Sequence, residues 1–164
     1  MNDHRDLIEN LFDKDFDSNT FKVDNLKIYD KYEKIDFKKI KEIYISPETD
    51  RLSLENKFNK LKNVDGFVHL VDGISLEISN EIIKYFKLRD KSIEKITSLT
   101  KEEVEHNLGK ADKELTEGIM WATGYVVESR VLVYNKAKLF IHIDNETDRI
   151  CEIRYGDVNE NVYD

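Results

Sequence analysis

Between Leu99 and Tyr155 the apolar positions switch from helical to strand spacing, which predicts one helix followed by an antiparallel meander. The run Leu99-Thr100-Lys101-Glu102-Glu103-Val104 fits a capping box, with Thr100 and Glu103 exchanging side-chain and backbone hydrogen bonds. Leu99 and Val104 stand at the two positions of a hydrophobic staple, and Gly109 offers a left-handed stop. Glu102, Glu103 and Glu105 lie near the positive end of the helix dipole. Four runs rich in β-branched and aromatic residues follow: Ile119–Val127, Val131–Tyr134, Lys138–Asp144 and Arg149–Tyr155. Short polar breaks at 128–130, 135–137 and 145–148 predict hairpins between them. Leu139, Ile141 and Ile143 fall on one side of the third run, opposite Phe140, His142 and Asp144. Cys151, Ile153 and Tyr155 likewise oppose Ile150, Glu152 and Arg154. One face is drier, as expected where helices cover it.

The first 98 residues are punctuated less sharply. Leu7, Ile8, Leu11 and Phe12 make an apolar stripe on a short N-terminal helix, with Asp3 as its cap. Leu26–Tyr29 and Ile43–Ile45 read as strands, and 33–42 fits a helix. Leu54, Phe58 and Leu61 suit a helix capped by Ser53. Asp72-Gly73 between two apolar runs is a strong hairpin signal. Ser79 suits a helix cap, with Ile82, Ile83 and Phe86 on the helix it would start. Together these elements predict an α+β fold, an antiparallel sheet ending in a four-strand meander with helices packed on one face. The length suits a single domain over 1–164, with a possible division into 1–98 and 99–164.

Composition narrows the class. Eight Tyr and eight Phe argue against wholesale disorder. The polar opening Met1-Asn2-Asp3-His4-Arg5-Asp6 is unlike a signal peptide, no apolar run has membrane-spanning length, and a single cysteine excludes an internal disulfide. A cytoplasmic location is expected. Residues 1–99 hold 20 acidic and 18 basic side chains, whereas 100–164 hold 14 and 8, so −6 of the net −8 lies in the capped-helix and meander part. Phosphate contact needs basic surface, so direct nucleic-acid binding and anionic membrane binding are both disfavoured. An acidic face can instead steer a basic protein partner, or serve only as a solvated face that keeps the protein in solution.

Motifs with chemistry are few. His4, His69, His106 and His142 have no metal-like local partners, and one cysteine cannot build a zinc knuckle. His106 reads as a solvated helix residue. His69 and His142 lie on strands, where they either converge or are satisfied by neighbours. Cys151 alternates with Ile153 and Tyr155, as a buried, inert thiol would. The glycines are isolated and form no phosphate cradle. The segment 144–148 alternates oxygens like a calcium loop but lacks its glycine and terminal glutamate, so a plain hairpin turn is favoured. Trp121 reads as core in preference to a partner-facing anchor. No cofactor or metal is expected.

The stretch Leu99-Thr100-Lys101-Glu102-Glu103-Val104-Glu105-His106-Asn107-Leu108-Gly109-Lys110-Ala111-Asp112, followed by strands, resembles the helix–loop–meander unit of β-lactamase-inhibitor-like domains. Those domains often carry a Thr-x-x-Glu-Val cap and a Leu-Gly-Lys-Pro-Asp turn, and Ala111 stands where the proline would be. The resemblance covers about the last third of the chain and implies a small bacterial protein that binds other proteins. As a whole the short, acidic, Lys/Ile/Asn-rich chain is similar in style to bacterial immunity proteins of contact-dependent inhibition and related polymorphic-toxin systems. That resemblance implies a non-catalytic inhibitor whose partner is a cognate basic toxin, most concretely a nuclease domain. The acids expected to face it are Asp112, Glu114 and Glu117 in the loop after the helix, and Asp144, Glu146 and Asp148 in the last hairpin. Edge-strand pairing is a second docking route. The rival readings are a small enzyme using His69, His142 and scattered acids, or a regulatory or structural module of a larger complex.

Overall fold

A computed structural model of the chain describes residues 17, 19–120, 124 and 126–158, of which 119, 120, 126 and 127 enter through their backbone alone. Eight strands form one antiparallel sheet: β1 (Ile40–Tyr44), β2 (Gly66–Leu70), β3 (Ile74–Ser79), β4 (Ile82–Leu88), β5 (Lys113–Met120), β6 (Val126–Tyr134), β7 (Leu139–Asp144) and β8 (Ile150–Gly156). Their order is β1-β2-β3-β4-β8-β7-β6-β5, which is two four-strand meanders joined where β4 pairs with β8. The two described α-helices are α1 (Leu54–Lys60) and α2 (Lys101–Leu108), so the fold is α+β and mostly sheet.

The first face of the sheet is apolar where alternate residues of neighbouring strands are. Val68, Leu76, Phe86, Ile153, Ile141 and Leu132 belong to one buried cluster that runs across both meanders. Phe86 stacks on Tyr155 at 4.8 Å across the β4–β8 join, and Phe21 meets the same tyrosine edge-on. Leu54 and Phe58 of α1, the adjoining Leu61, and Val104 and Leu108 of α2 pack into that cluster. Complete burial of one such aliphatic side chain contributes about 1.5–3 kcal/mol.

The helix caps follow the predicted chemistry. Thr100 Oγ1 accepts from the Glu103 N–H and Glu103 Oε2 accepts from the Thr100 N–H, each at 3.3 Å. Leu99 and Val104 join the same apolar cluster, and Gly109 ends the helix at φ +85°. Ser53 caps α1 by accepting from the Asn56 N–H at 3.1 Å. The hairpin at Asp72-Gly73 also forms, with both residues left-handed (φ 69° and 82°), as a tight turn between right-twisted strands requires.

Six local expectations are corrected. Ser79 does not start a helix: Asn80 and Glu81 are both left-handed (φ 52° and 66°), closing a tight hairpin that makes Ile82–Leu88 a strand. A register shift near Glu77 and Ile78 breaks strict alternation in β4, which is why its apolar residues have a helical look. Glu128-Ser129-Arg130 is not a break but the middle of β6, paired with Gly118, Glu117 and Thr116. Lys113–Gly118 is therefore strand rather than loop. It lies at the sheet's edge, where Lys113, Glu114 and Glu117 on either side of Leu115 and Thr116 suit a strand with one open side. The predicted run Ile119–Val127 instead contains the end of β5, Gly124 at φ +82° and the start of β6. Finally, Leu26–Tyr29 is not a strand, since only Val23 and Leu26 form an isolated bridge, and 33–42 holds short 3-10 turns before β1 rather than an α-helix. The expected N-terminal helix and Trp121 lie outside the described residues.

Candidate functional site

The six acids expected to face a partner fall into three places. Asp112 lies just before β5, where its Oδ2 accepts from the Asn135 N–H at 2.7 Å. Glu114, on β5, pairs with Lys101 of α2 at 2.6 Å. Asp144, Glu146 and Asp148 belong to the β7–β8 hairpin at the opposite end of these strands. Asp144 builds that turn: its Oδ1 accepts from the Glu146 N–H at 2.8 Å and the Thr147 N–H at 3.4 Å. Glu146 is exposed, and Asp148, also exposed, pairs with Arg130. Exposed Glu128 stands at the same end, its carbonyl accepting from the Asn145 N–H at 3.0 Å.

Glu117 belongs with neither group. It points across the second sheet face, into a charged cluster on the side that the residue pattern presents as the wetter one. Strand register assembles the cluster. Glu152 on β8 stands opposite His142 on β7, which stands opposite Val131 on β6; Arg154 stands opposite Lys87 on β4 and Phe140 on β7. Side chains paired in register share a face, so charged groups two residues apart on β8 meet those of β4 and β7. Glu152 is fully buried. The Arg89 Nε–H donates to its Oε1, and the Arg154 Nε–H donates to its Oε2 at 2.6 Å. Arg154 Nη1 also lies 4.0 Å from Glu117 Oε1.

His142 is fully buried in the middle of these charges. Its Nδ1 is 3.4 Å from the Ser129 hydroxyl and 3.8 Å from Glu117 Oε2, and its Nε2 is 3.7 Å from Glu152 Oε2. Ser129 Oγ–H donates to the Glu117 carbonyl at 3.2 Å, which leaves its lone pairs for a protonated Nδ1 of a neutral ring. Burial pushes the His142 pKa down to about 3; Glu152 opposes that fall, while Arg154, Arg89 and Lys87 reinforce it. The imidazole is therefore neutral throughout the physiological range.

The neighbouring carboxyls are pushed apart. Burial raises Glu117, whose Oε2 is buried and accepts no hydrogen bond among the described residues, despite the Arg154 charge. Glu152 is held below the ordinary carboxylate range: burial acts upward as the largest single influence, and His142, Arg154, Arg89 and Lys87 together outweigh it. Glu152 is the ionised anchor of the cluster, and removing a partner from such a buried pair costs about 3–5 kcal/mol.

The two strand histidines share this face but do not converge. His69 on β2 and His142 on β7 are separated by β3, β4 and β8, four strand spacings or about 19 Å along the sheet. His69 Nδ1 instead meets Ser75 Oγ at 2.7 Å on the neighbouring strand. Cys151 is half-buried with its Sγ 3.5 Å from the His142 carbonyl, and burial pushes the thiol up to about 12. Among the described residues, no group of three or more His, Cys, Asp and Glu is placed to hold a metal ion, and no helix is long and apolar enough to cross a membrane.

Lys87, Arg89, Glu152 and Arg154 do not stand out in the sequence. The signal is present in part: Glu152 and Arg154 alternate with Cys151, Ile153 and Tyr155, which places opposite charges on one face of a strand. That β4 brings Lys87 and Arg89 to them depends on a pairing more than 60 residues away in sequence, Arg89 with Glu152 being 63 apart. No protein-family model matches this chain, and neither the curated proteins nor the solved structures contain a match.

Proposed function

We propose that this chain is a non-catalytic protein-binding inhibitor, most concretely an immunity protein that neutralises a cognate basic, nuclease-type toxin domain in the cytoplasm by occluding its active or substrate surface. In this reading the helices cover the first sheet face and the strand ends meet the partner. The observation that carries it is the acidic end of the C-terminal meander, where Glu128, Glu146 and Asp148 are exposed around a turn built by Asp144. Acids so placed substitute for nucleic-acid phosphates on a basic surface and accelerate encounter. Asp112 and Glu114 are committed at the other end, and Glu117 is turned into the buried cluster, so the docking surface narrows to the β7–β8 end. The best nucleophile and general-base candidates also speak for a binding role, since a thiol near 12 and an imidazole near 3 are inert at neutral pH.

The test is capture of the C-terminal domain of the protein encoded immediately upstream, with protection of cells expressing that domain. Wild-type chain should bind and protect. A Glu128→Gln, Glu146→Gln, Asp148→Asn variant should associate more slowly and lose much of its salt dependence. Failure of the wild type to bind or protect overturns the proposal. Unchanged affinity and salt dependence in the triple variant overturns the assignment of the acidic end as the docking surface.

A further inference from the structure

Among the described strands, β1 and β5 have a partner on one side only. A free edge presents unpaired N–H and C=O groups that a further strand can use, unless a bulge or an unfavourable charge blunts it. The edge of β1 is blunted by a register shift between Ile40 and Glu42. By contrast, β5 runs against β6 without a shift from Lys113 to Met120. Lys113, Glu114, Thr116 and Gly118 are exposed along it.

The charges on β5 make this edge complementary to itself. Lys113, Leu115 and Glu117 alternate along the strand and so share one sheet face. A second β5 laid antiparallel about a two-fold axis at Leu115 sets Lys113 of each copy opposite Glu117 of the other. The same axis sets Leu115 opposite Leu115 and Glu114 opposite Thr116. Opposite charges in register on adjacent strands stabilise their pairing, and the symmetry supplies the pair twice. Moving the axis to Glu114 or Thr116 sets Lys113 opposite Leu115 or Ile119 instead, so one register is singled out. The operation fails at β1. Lys41 and Glu42 are sequence neighbours on opposite faces, and an axis at Glu42 sets that carboxylate against its own copy.

The remaining charges of this edge are engaged within the chain. Glu114 pairs with Lys101 at 2.6 Å, and Asp112 accepts from the Asn135 N–H at 2.7 Å. Lys113 stands opposite Val133, and its ammonium enters no ion pair or hydrogen bond among the described residues. Glu117 has Arg154 Nη1 4.0 Å from its Oε1, and its side chain keeps 20% of its surface open. Arg154 and Lys87 act on this carboxyl favourably, yet burial, with Glu152 adding to it, raises its pKa. A lysine arriving from across the edge adds a cation on the open side of Glu117 and gives Lys113 the partner it has none of in the single chain.

We propose that the open edge of β5 is a self-association surface, on which two copies of this chain pair β5 with β5 antiparallel about a two-fold axis at Leu115, Lys113 of each facing Glu117 of the other. This goes beyond the inhibitor reading and is tested on the chain alone. The axis turns the two acidic β7–β8 ends in opposite directions, so each copy keeps its own. The test is sedimentation of the full chain across a dilution series, in which the wild type should pass between monomer and dimer. Lys113→Glu sets like charges opposite at both pairs and should weaken the dimer about tenfold or more, with Lys113→Gln between the two. Lys113 is exposed and unengaged, so neither change disturbs the single chain. Oxidative cross-linking reads the register separately. Leu115→Cys places two thiols directly opposite across the axis, within disulfide reach, and should give a covalent dimer. Lys113→Cys places them about 14 Å apart along the strands and should give none, as should the wild type with its half-buried Cys151. A wild type that stays monomeric overturns the proposal and leaves the edge to a different strand or to solvent. An equally tight dimer in Lys113→Glu, or cross-linking at 113 as efficient as at 115, overturns the pairing as well.

Discussion

His142 makes the acid stability of this protein predictable. The imidazole is enclosed by Glu117, Glu152, Ser129 and the cations Lys87, Arg89 and Arg154, and burial takes its pKa from 6.5 to about 3. A folded-state pKa below the unfolded value means that the unfolded chain binds the proton first. The contribution of neutral His142 is therefore fully present above the unfolded pKa and is lost as pH falls from there toward the folded one. Each tenfold difference in proton affinity between the two states is worth about 1.4 kcal/mol, so the whole effect is about 5 kcal/mol. Between about pH 8 and pH 5, mostly above the carboxylate range, about 2 kcal/mol of it should disappear. His142→Gln keeps a neutral polar side chain with no proton to gain. Urea unfolding of both proteins across that range should give a wild-type free energy that falls about 2 kcal/mol more than the variant's. A packing defect in the variant offsets its curve without tilting it. Parallel curves from pH 8 to pH 5 would refute the account of a buried neutral imidazole.

Two further predictions concern the thiol and the helix cap. Cys151, with its thiol pushed up to about 12, should react with an aromatic disulfide reagent at about pH 8 roughly a thousandfold more slowly than in the unfolded chain; a native rate within about tenfold of the unfolded one would contradict its inertness. Thr100→Ala removes the oxygen that caps Glu103 N–H and should cost about 1 kcal/mol in denaturant unfolding, with Thr100→Ser recovering most of it; an alanine variant as stable as wild type would mean that the capping box adds nothing.

The elements legible in the sequence are those with redundant local signals. α2 carries a cap, a staple and a terminating glycine within ten residues, and each agrees with its apolar spacing. The Asp72-Gly73 hairpin needs only two left-handed residues. β5 escapes the pattern because an edge strand need bury little: Leu115 is its one large apolar residue between Lys113 and Gly118, so periodicity has almost nothing to register. β4 imitates a helix because the register shift opposite Glu77 and Ile78 disturbs its alternation. For the acids, sequence identifies residue types and net charge but not direction. Glu114 and Glu117 are three apart on one strand, so they lie on opposite faces, one against Lys101 and the other in the buried cluster.

What the sequence by itself determined is the local grammar: the capped helices, the turns at 72–73 and 145–148, the dry face of β7 and β8, and an acidic C-terminal part. These depend on a few neighbouring residues, whose hydrogen-bond and φ requirements are satisfied locally. The tertiary structure alone decided that the last strands of the two meanders pair. That pairing brings Lys87 and Arg89 against Glu152 and Arg154 and encloses His142. Charges separated by more than 60 residues interact only after β4 and β8 have found their register, Arg89 and Glu152 being 63 apart. Burial among those charges then turns ordinary titratable side chains into a neutral imidazole and an ionised anchor.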